Sequence, residues 1–346
     1  MISFVAWFSD VGIADRPTVG GKGASLGELT GAGIAVPPGF VVTTHAFEEF
    51  LLALEARAPV RQKVEALDPS DLGAVTKLSE ELRRRVIEEP LPAGVQNAIL
   101  KAHARLCGDL KSPVAVRSSA TTEDAEDASF AGLQDTFLWV LDSAETVARV
   151  RECWGSLYSV ESMTYRLKHD FPEEGVAMAV VIQQMVDARC AGVMFTRSPT
   201  TGDKSVITIE GAWGLGSAVV SGEVTPDKWV VGKITGEIQQ RDVSHKHAKQ
   251  VPAEAGGIKE VELDDAQANA PCLSDDDLQA LRDVGRRIER HYGKPQDIEW
   301  ALDNKGNVLL LQSRPETVWS IKDDAPVAKP VDNPMAHVMN IFGGKK

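Results

Sequence analysis

Cysteine is scarce in this 346-residue chain. Cys107, Cys153, Cys190 and Cys272 lie far apart and form no Cys-x-x-Cys pair, which argues against a disulfide framework and against a cysteine zinc site. A reducing, cytoplasmic setting is the expectation. No apolar run approaches the length of a membrane span, and the N-terminus has no basic region followed by a long apolar core, so neither insertion nor export is expected. Basic charge is short as well: 37 Lys and Arg stand against 50 Asp and Glu, a formal net charge of -13. Nucleic acid and anionic membranes would both repel such a chain, leaving room only for a local basic pocket that holds phosphate. There is no Walker A loop either, because the G-x-x-x-x-G-K-[ST] spacing is missing.

What is present is an ordinary globular composition, 43% hydrophobic and 25% charged, long enough for two domains or one large two-lobed one. The most informative stretch runs from Ser112 to Thr136. Val114, Ala115 and Val116 read as a short buried strand, and Arg117 stands at its end, where a guanidinium needs an anion. Ser118, Ser119, Thr121 and Thr122 follow, then Glu123, Asp124, Glu126 and Asp127, and the stretch closes at Phe130-Ala131-Gly132. Such a loop suits a lid over phosphates, with Gly132 permitting close backbone approach; the alternative is a plain strand exit with a surface arginine.

Upstream, a glycine cluster around Lys22 runs into Leu26, Leu29 and Ile34 at helical spacing. That places a lysine on a loop at a helix start, where unpaired N–H groups and the helix dipole attract anions, although a simple turn into a helix reads equally well. Amphipathic helices are expected over His45–Ala56, Asp71–Glu89 and Val95–Cys107, and one long helix over Ala144–Lys168 with Trp154 and Tyr158 in its core. Ala177–Met185 and Ala191–Thr196 read as buried strands. Gln183 and Gln184 near the end of the first need partners, which an adenine edge or a neighbouring backbone would supply. A strand at Ser205–Glu210, the glycine-rich Gly211–Ser217, alternating strand character over Val219–Val231 and a polar excursion over residues 248–272 follow. His245 and His247 form His-x-His with no third metal ligand in view. Ser274 caps a helix over Asp275–His291.

A second constellation is a hairpin of two apolar strands, Gln296–Asp303 and Val308–Pro315. Glu299 on one strand opposite Gln312 on the other can share a divalent cation of the magnesium type, with Arg314 clamping a phosphate beside it. A metal would also resolve the cost of burying Glu299 between Ile298 and Trp300. After Trp319 the chain becomes an Asp/Pro/Ala/Lys-rich linker ending in a short tail.

In this order, Gly20-Gly-Lys-Gly-Ala-Ser-Leu-Gly-Glu-Leu, Val116-Arg-Ser-Ser-Ala-Thr-Thr-Glu-Asp, Ser129-Phe-Ala-Gly, Gly192-Val-Met-Phe-Thr, Gly214-Leu-Gly and Asp297-Ile-Glu-Trp with Gln312-Ser-Arg-Pro resemble the N-terminal nucleotide-binding region of the phosphoenolpyruvate synthase and pyruvate phosphate dikinase family. The resemblance covers roughly residues 10 to 320. It implies an α/β (α+β), ATP-grasp-like fold whose lobes close on Mg-ATP, divided as residues 1–190, 191–322 and a linker and tail over 323–346. Lys22 and Arg117 correspond to phosphate ligands, with Gly132 and Thr136 below them. Gln183 and the backbone at Met185 correspond to adenine contacts, Glu299 and Gln312 to ligands of Mg2+ or Mn2+, and Arg314 to a further phosphate clamp.

Two departures matter. Ser217 stands where relatives carry a glutamate that meets the ribose hydroxyls. The family also passes a phosphoryl or pyrophosphoryl group from ATP to a histidine in a Gly-Gly-x-Thr-Ser-His-type motif, and these residues contain none; His337 lacks its glycine and hydroxyl context. A separate subunit carrying that histidine is therefore expected. Among relatives that divide the work between chains, the sequence resembles the ATP-binding subunit of phenylphosphate synthase, which implies phenol phosphorylation with release of AMP and phosphate. A split phosphoenolpyruvate synthase, a rifamycin-type antibiotic phosphotransferase and an ATP-sensing subunit without chemistry are the rival expectations.

Overall fold

The computed structural model describes residues 3–108, 112–121, 135–317 and 319. The first part of the chain runs β1 (Val5–Trp7), α1 (Arg16–Gly31), β2 (Gly39–Val42), α2 (Thr44–Glu55), α3 (Arg61–Glu65), α4 (Leu72–Glu88), α5 (Ala93–Cys107), β3 (Val114–Ala120), β4 (Thr136–Val140), α6 (Ser143–Ser156), α7 (Val160–Lys168) and β5 (Met178–Gln184). Its strands pair antiparallel in the order β1-β2-β5-β3-β4. Alternation along β3 decides what this sheet can do. Val114 and Val116 point into a core with Phe40, Phe47, Phe50, Trp154 and Ile182, so Ala115, Arg117 and Ser119 face the other way. There α1 packs through Val19, Ala24 and Leu26 against Val41, Ala179 and Val181. Trp154 stacks on Phe50 at 5.1 Å and gives its indole N–H to the Met178 carbonyl, and Tyr158 is buried beside it. These aromatic residues are core, as their apolar surroundings in the sequence suggest.

The second part runs β6 (Ala188–Phe195), β7 (Val206–Trp213), α8 (Ser217–Val220), β8 (Asp227–Gly232), β9 (Ile238–Asp242), β10 (Ala248–Pro252), β11 (Ile258–Glu262), α9 (Asp265–Ala268), α10 (Asp275–Tyr292), β12 (Gln296–Asp303) and β13 (Val308–Pro315). Six strands pair in the order β13-β12-β6-β7-β8-β9, and β10 and β11 form a separate hairpin. Helix α10 begins at a capping box between Ser274 and Asp277 and ends at Gly293 with φ of 68°, the left-handed stop that suits glycine. Its apolar stripe, Leu278, Leu281 and Ile288, covers one sheet face through Met194, Ile207, Trp229, Ile298 and Trp300. At about 1.5–3 kcal/mol for each large side chain buried, this face contributes strongly to folding. Leu29 near the end of α1 and Ile34 just after it join the same core, so the first helix pins both sheets together. The backbone bond from Leu310 to Ala35 and the bond from the Ser25 hydroxyl to the Ser313 carbonyl tighten that join.

Several local expectations are corrected. Ser118 and Ser119 belong to strand β3 rather than to a loop, because Ser119 pairs with Ala179 and Ser118 donates to the Asp135 carbonyl. The expected helix over residues 144–168 is two helices, broken where Ser159 caps α7 by accepting from the Ser162 N–H. Residues 219 and 220 lie in α8 rather than a strand, since Ala218 and Val219 pack with Ala212 and Val224. Strand β7 continues through Gly211 to Trp213, and the polar excursion contains the β10–β11 hairpin and α9. The expected lid over 122–134, including Gly132, and the tail with His337 lie outside the described residues. No helix among the described residues is long and apolar enough to cross a membrane.

Candidate active site in the cleft between the sheets

A cleft of about 380 Å3 opens between the two sheets, and its lining includes Lys22, Arg117, Thr136, Gln183, Met185, Glu299, Gln312 and Arg314. Of the candidate ligands of ATP and metal, Gly132 alone lies outside the described residues.

Lys22 reaches the cleft through a break in α1. Gly20 has φ of 70° inside the helix, and a side chain there would collide with the Ser119 carbonyl. The break lets the Gly23 N–H reach the Ser119 hydroxyl at 3.2 Å while that hydroxyl donates to the Val19 carbonyl at 2.9 Å. Lys22 is thus held against the strand that carries Arg117, in the first turn after the break rather than on a free loop. Ser119 was legible only as one hydroxyl among several; its place two residues from Arg117 on the same face is what fixes the lysine.

Arg117 crosses to the second sheet. One amino group donates to the Leu311 carbonyl at 2.9 Å, and the other donates at 2.8 Å both to Glu299 Oε2 and to Gln312 Oε1. Glu299 and Gln312 sit directly opposite each other on β12 and β13. Immediately after this pair the register slips, with Trp300 opposite Leu310; the extra residue, Leu311, turns its carbonyl toward Arg117, a common use of a β-bulge beside a site. Nothing in the sequence marks that bulge.

The same geometry tests the fit of a divalent cation. Both oxygens lie 2.8 Å from one nitrogen atom, so a carboxylate and an amide oxygen converge on one point that already holds positive charge. That donor set suits Mg2+ or Mn2+ with water and phosphate oxygens completing the shell. Among the described residues no group of three or more His, Cys, Asp or Glu could hold a metal ion by itself. His245 and His247 are exposed, and the buried member of that run is Lys246, paired with Asp227.

Arg314 is held by Asp297, with Nε at 2.9 Å and an amino group at 2.8 Å from one carboxylate oxygen. Burial pushes the Asp297 carboxyl up, while the Arg314 guanidinium pulls it back down. Asp297 was missed as a site residue, yet its place two positions before Glu299 put it on the same strand face.

The cleft is polarised along its length. At one end Val186, Ala191 and Ala301 form an apolar floor with Leu309 and Leu311 packed against it, near Gln183 and Met185; the other end carries the charges. The Gln183 amide donates to the Pro37 carbonyl at 3.4 Å. The Met185 N–H is committed to the Pro113 carbonyl, so a base would meet the carbonyl or side chain of Met185 rather than its N–H. Ser217 also lines the cleft and bonds to the Gln250 side chain, which donates to Glu223 at 2.8 Å.

Residues 16–334 match the family model for the pyruvate phosphate dikinase AMP/ATP-binding domain. The chain belongs to that family. It is 43% identical over 320 residues to a probable phosphoenolpyruvate synthase of Methanothermobacter thermautotrophicus, covering 92% of this chain and 46% of that protein. It is 42% identical over 309 residues to a rifampicin phosphotransferase of a Streptomyces species, covering 89% of this chain and 35% of that one. The chain therefore spans less than half the length of these curated relatives. Among solved structures, D-alanyl-alanine synthetase A of Vibrio cholerae aligns with 86% of this chain and 58% of its own at 9% identity, with a TM-score of 0.28. The α/β (α+β), ATP-grasp-like fold that the motif resemblance implies agrees with the two antiparallel sheets and the cleft between them.

Proposed function

We propose that this chain is the ATP-handling part of a phosphoenolpyruvate synthase-type phosphotransferase. It binds Mg-ATP and passes a phosphoryl or pyrophosphoryl group to a histidine on a partner subunit. The observation that carries this reading is the convergence of Lys22, Arg117, Glu299, Gln312 and Arg314 on one cleft whose far end is apolar. Adenine lies over the apolar floor beside Gln183 and Met185, and the triphosphate points toward the three cations. Glu299 and Gln312 would hold Mg2+ or Mn2+, which when bound offsets charge on the transferred group. Arg117 exchanges Glu299 and Gln312 for phosphate oxygens. Lys22 and Arg314 flank it, and since phosphoryl transfer needs little covalent help from the protein, their main work is positioning and charge neutralisation.

We propose the division into lobes at residues 190 and 191, inside β6, the first strand of the second sheet, with 323–346 as linker and tail. Phenol is the final acceptor in this reading, giving phenylphosphate, AMP and phosphate. The test is to combine the chain with the histidine-bearing subunit, Mg-ATP and phenol, following nucleotide products and acid-labile phosphohistidine. Alone, the chain should bind Mg-ATP and turn over little; with the subunit, AMP, phosphohistidine and phenylphosphate should appear. Pyruvate or a rifamycin consumed in place of phenol would refute the phenol assignment. Mg-ATP binding that alters the subunit without labelling its histidine would refute transfer and leave a sensing role.

A further inference from the structure

The space around Glu299 and Gln312 continues beyond the nucleotide cleft into a recess of about 210 Å3, walled by Val193, Phe195, Val219 and Val220 with Glu210 beside them. Sheet register explains why these groups meet. Gln312 pairs with Glu299, Glu299 with Val193, Val193 with Glu210, and Glu210 with Lys228, so all five share one face in a single row across the sheet. Phe195 lies two residues along β6 from Val193 on that face. The Lys228 ammonium sits 3.0 Å from Glu210 Oε1 and orients the carboxylate. Val220 is 59% exposed at the mouth, an apolar contact for whatever enters. The volume is below the roughly 300–1,000 Å3 of pockets that enclose a drug-sized ligand, so a single side chain fits and a second nucleoside does not.

Besides the Asp297–Arg314 ion pair at its edge, an occupant here meets apolar walls, the Glu210 carboxylate, and the point where Glu299 and Gln312 converge. An imidazole matches all three: its ring faces are weakly polar, one nitrogen carries a proton and the other a lone pair. We infer that this recess receives the phosphoacceptor imidazole and that Glu210 accepts a hydrogen bond from its N–H. The inference rests on the phosphotransfer reading and adds the residue that meets the acceptor. The unprotonated nitrogen attacks phosphorus and forms the P–N bond, while the bridging P–O bond breaks and its electron pair leaves with AMP or ADP. The ring keeps its N–H proton and becomes a phosphoimidazolium cation. Glu210 fixes the reactive tautomer and offsets the positive charge as it develops.

Imidazole itself is the probe, added to the intact chain in the presence of Mg-ATP. Its binding is followed by saturation-transfer NMR of the ring protons, and Mg-ATP affinity by calorimetry on the same samples. The wild-type chain should bind imidazole saturably. Glu210→Ala should weaken that binding by about tenfold to a hundredfold, the span of a charge-assisted hydrogen bond. Glu210→Gln, which keeps the volume and loses the charge, should fall between them. Mg-ATP affinity should stay within about twofold throughout, as for a substitution outside the nucleotide's contacts. Normal Mg-ATP binding with no imidazole binding by the wild type, or with equal imidazole binding by Glu210→Ala, overturns the assignment of the recess and leaves the nucleotide reading standing. Absence of Mg-ATP binding by the wild type overturns both.

Discussion

Two buried arginines in this molecule make similar bonds for different ends. Arg166 in α7 donates to Glu173 at 2.7 Å and 3.3 Å and to the Leu157 carbonyl and Ser162 hydroxyl at 2.8 Å each. Its partners are near in sequence, and neither it nor Glu173 is more than 3% exposed. Arg117 also pairs with a glutamate, but its partners lie 182 to 195 residues away on the other sheet and line an open cleft. A closed local set of bonds is a structural joint. A set closed across a cleft, on the two oxygens best placed for a cation, can be exchanged for a ligand.

The sharpest way to break this contrast is to truncate both. Arg117→Ala should lower phosphoryl transfer by roughly 10³–10⁵-fold, the scale of a lost phosphate-clamping arginine, while thermal unfolding shows an intact fold. Arg166→Ala should strand the Glu173 carboxylate and destabilise the protein by about 3–5 kcal/mol, with Mg-ATP binding retained in the fraction that stays folded. Unfolding by the first or an inert second would reverse the assignment. Next in size, Gln312→Ala should raise the Mg2+ or Mn2+ concentration needed for half-maximal nucleotide binding by more than the roughly 10–100-fold that follows loss of an outer-sphere partner. Metal titration monitored by nucleotide binding checks this, and an unchanged requirement would remove Gln312 from the cation site.

How much of this could be read beforehand differs between the two sides of the cleft. The strands and turn of the β12–β13 hairpin were legible apart from its bulge, since Asn304-Lys-Gly-Asn307 is a plain turn signal and the alternation placed Glu299 opposite Gln312. The first side was harder. Arg117 could be placed at a strand end, but the strand runs on to Ala120, because hydroxyl-rich residues resemble a loop until the Asp135 and Ala179 backbones that pair them are known. Lys22 was marked by its glycines, and what holds it is Ser119, 97 residues later. Contacts of that separation leave no local trace in composition or periodicity. The Leu311 carbonyl on the bulge, 194 residues from Arg117, belongs to the same class; the pairing of Arg314 with Asp297 across the hairpin and the capping Ser159 that breaks the helix at Leu157–Ser159 are local features, masked by the strand and helix patterns they interrupt.

Smaller effects sharpen the same contrast. Gly20→Ala should lose about 1–3 kcal/mol of stability through its left-handed backbone and the collision with Ser119, and should weaken Mg-ATP binding along with it because Lys22 hangs from that turn. A loss of stability with unchanged affinity would separate Lys22 from the site. The smallest effect comes from a residue that does not line the cleft. His103 is buried in α5, and desolvation holds its pKa below the usual value, with Asp142 opposing. Its folded pKa is depressed, so the neutral ring's contribution is present above the unfolded value of about 6.5 and is lost as pH falls through the folded one. Denaturation midpoints should therefore decline on acidification from pH 6.5, and His103→Gln should flatten that decline without changing nucleotide affinity at neutral pH.

The central claim is that Arg117 marks a cation point between the sheets where nucleotide and metal meet. A crystal structure of the chain with Mg2+ and a non-hydrolysable ATP analogue tests it most directly. The expected result is a triphosphate in the cleft, a cation about 2.1 Å from the Glu299 and Gln312 oxygens, and Arg117 moved onto phosphate. A nucleotide bound elsewhere, or one in the cleft with Arg117 still joined to both residues and no cation between them, would contradict the account.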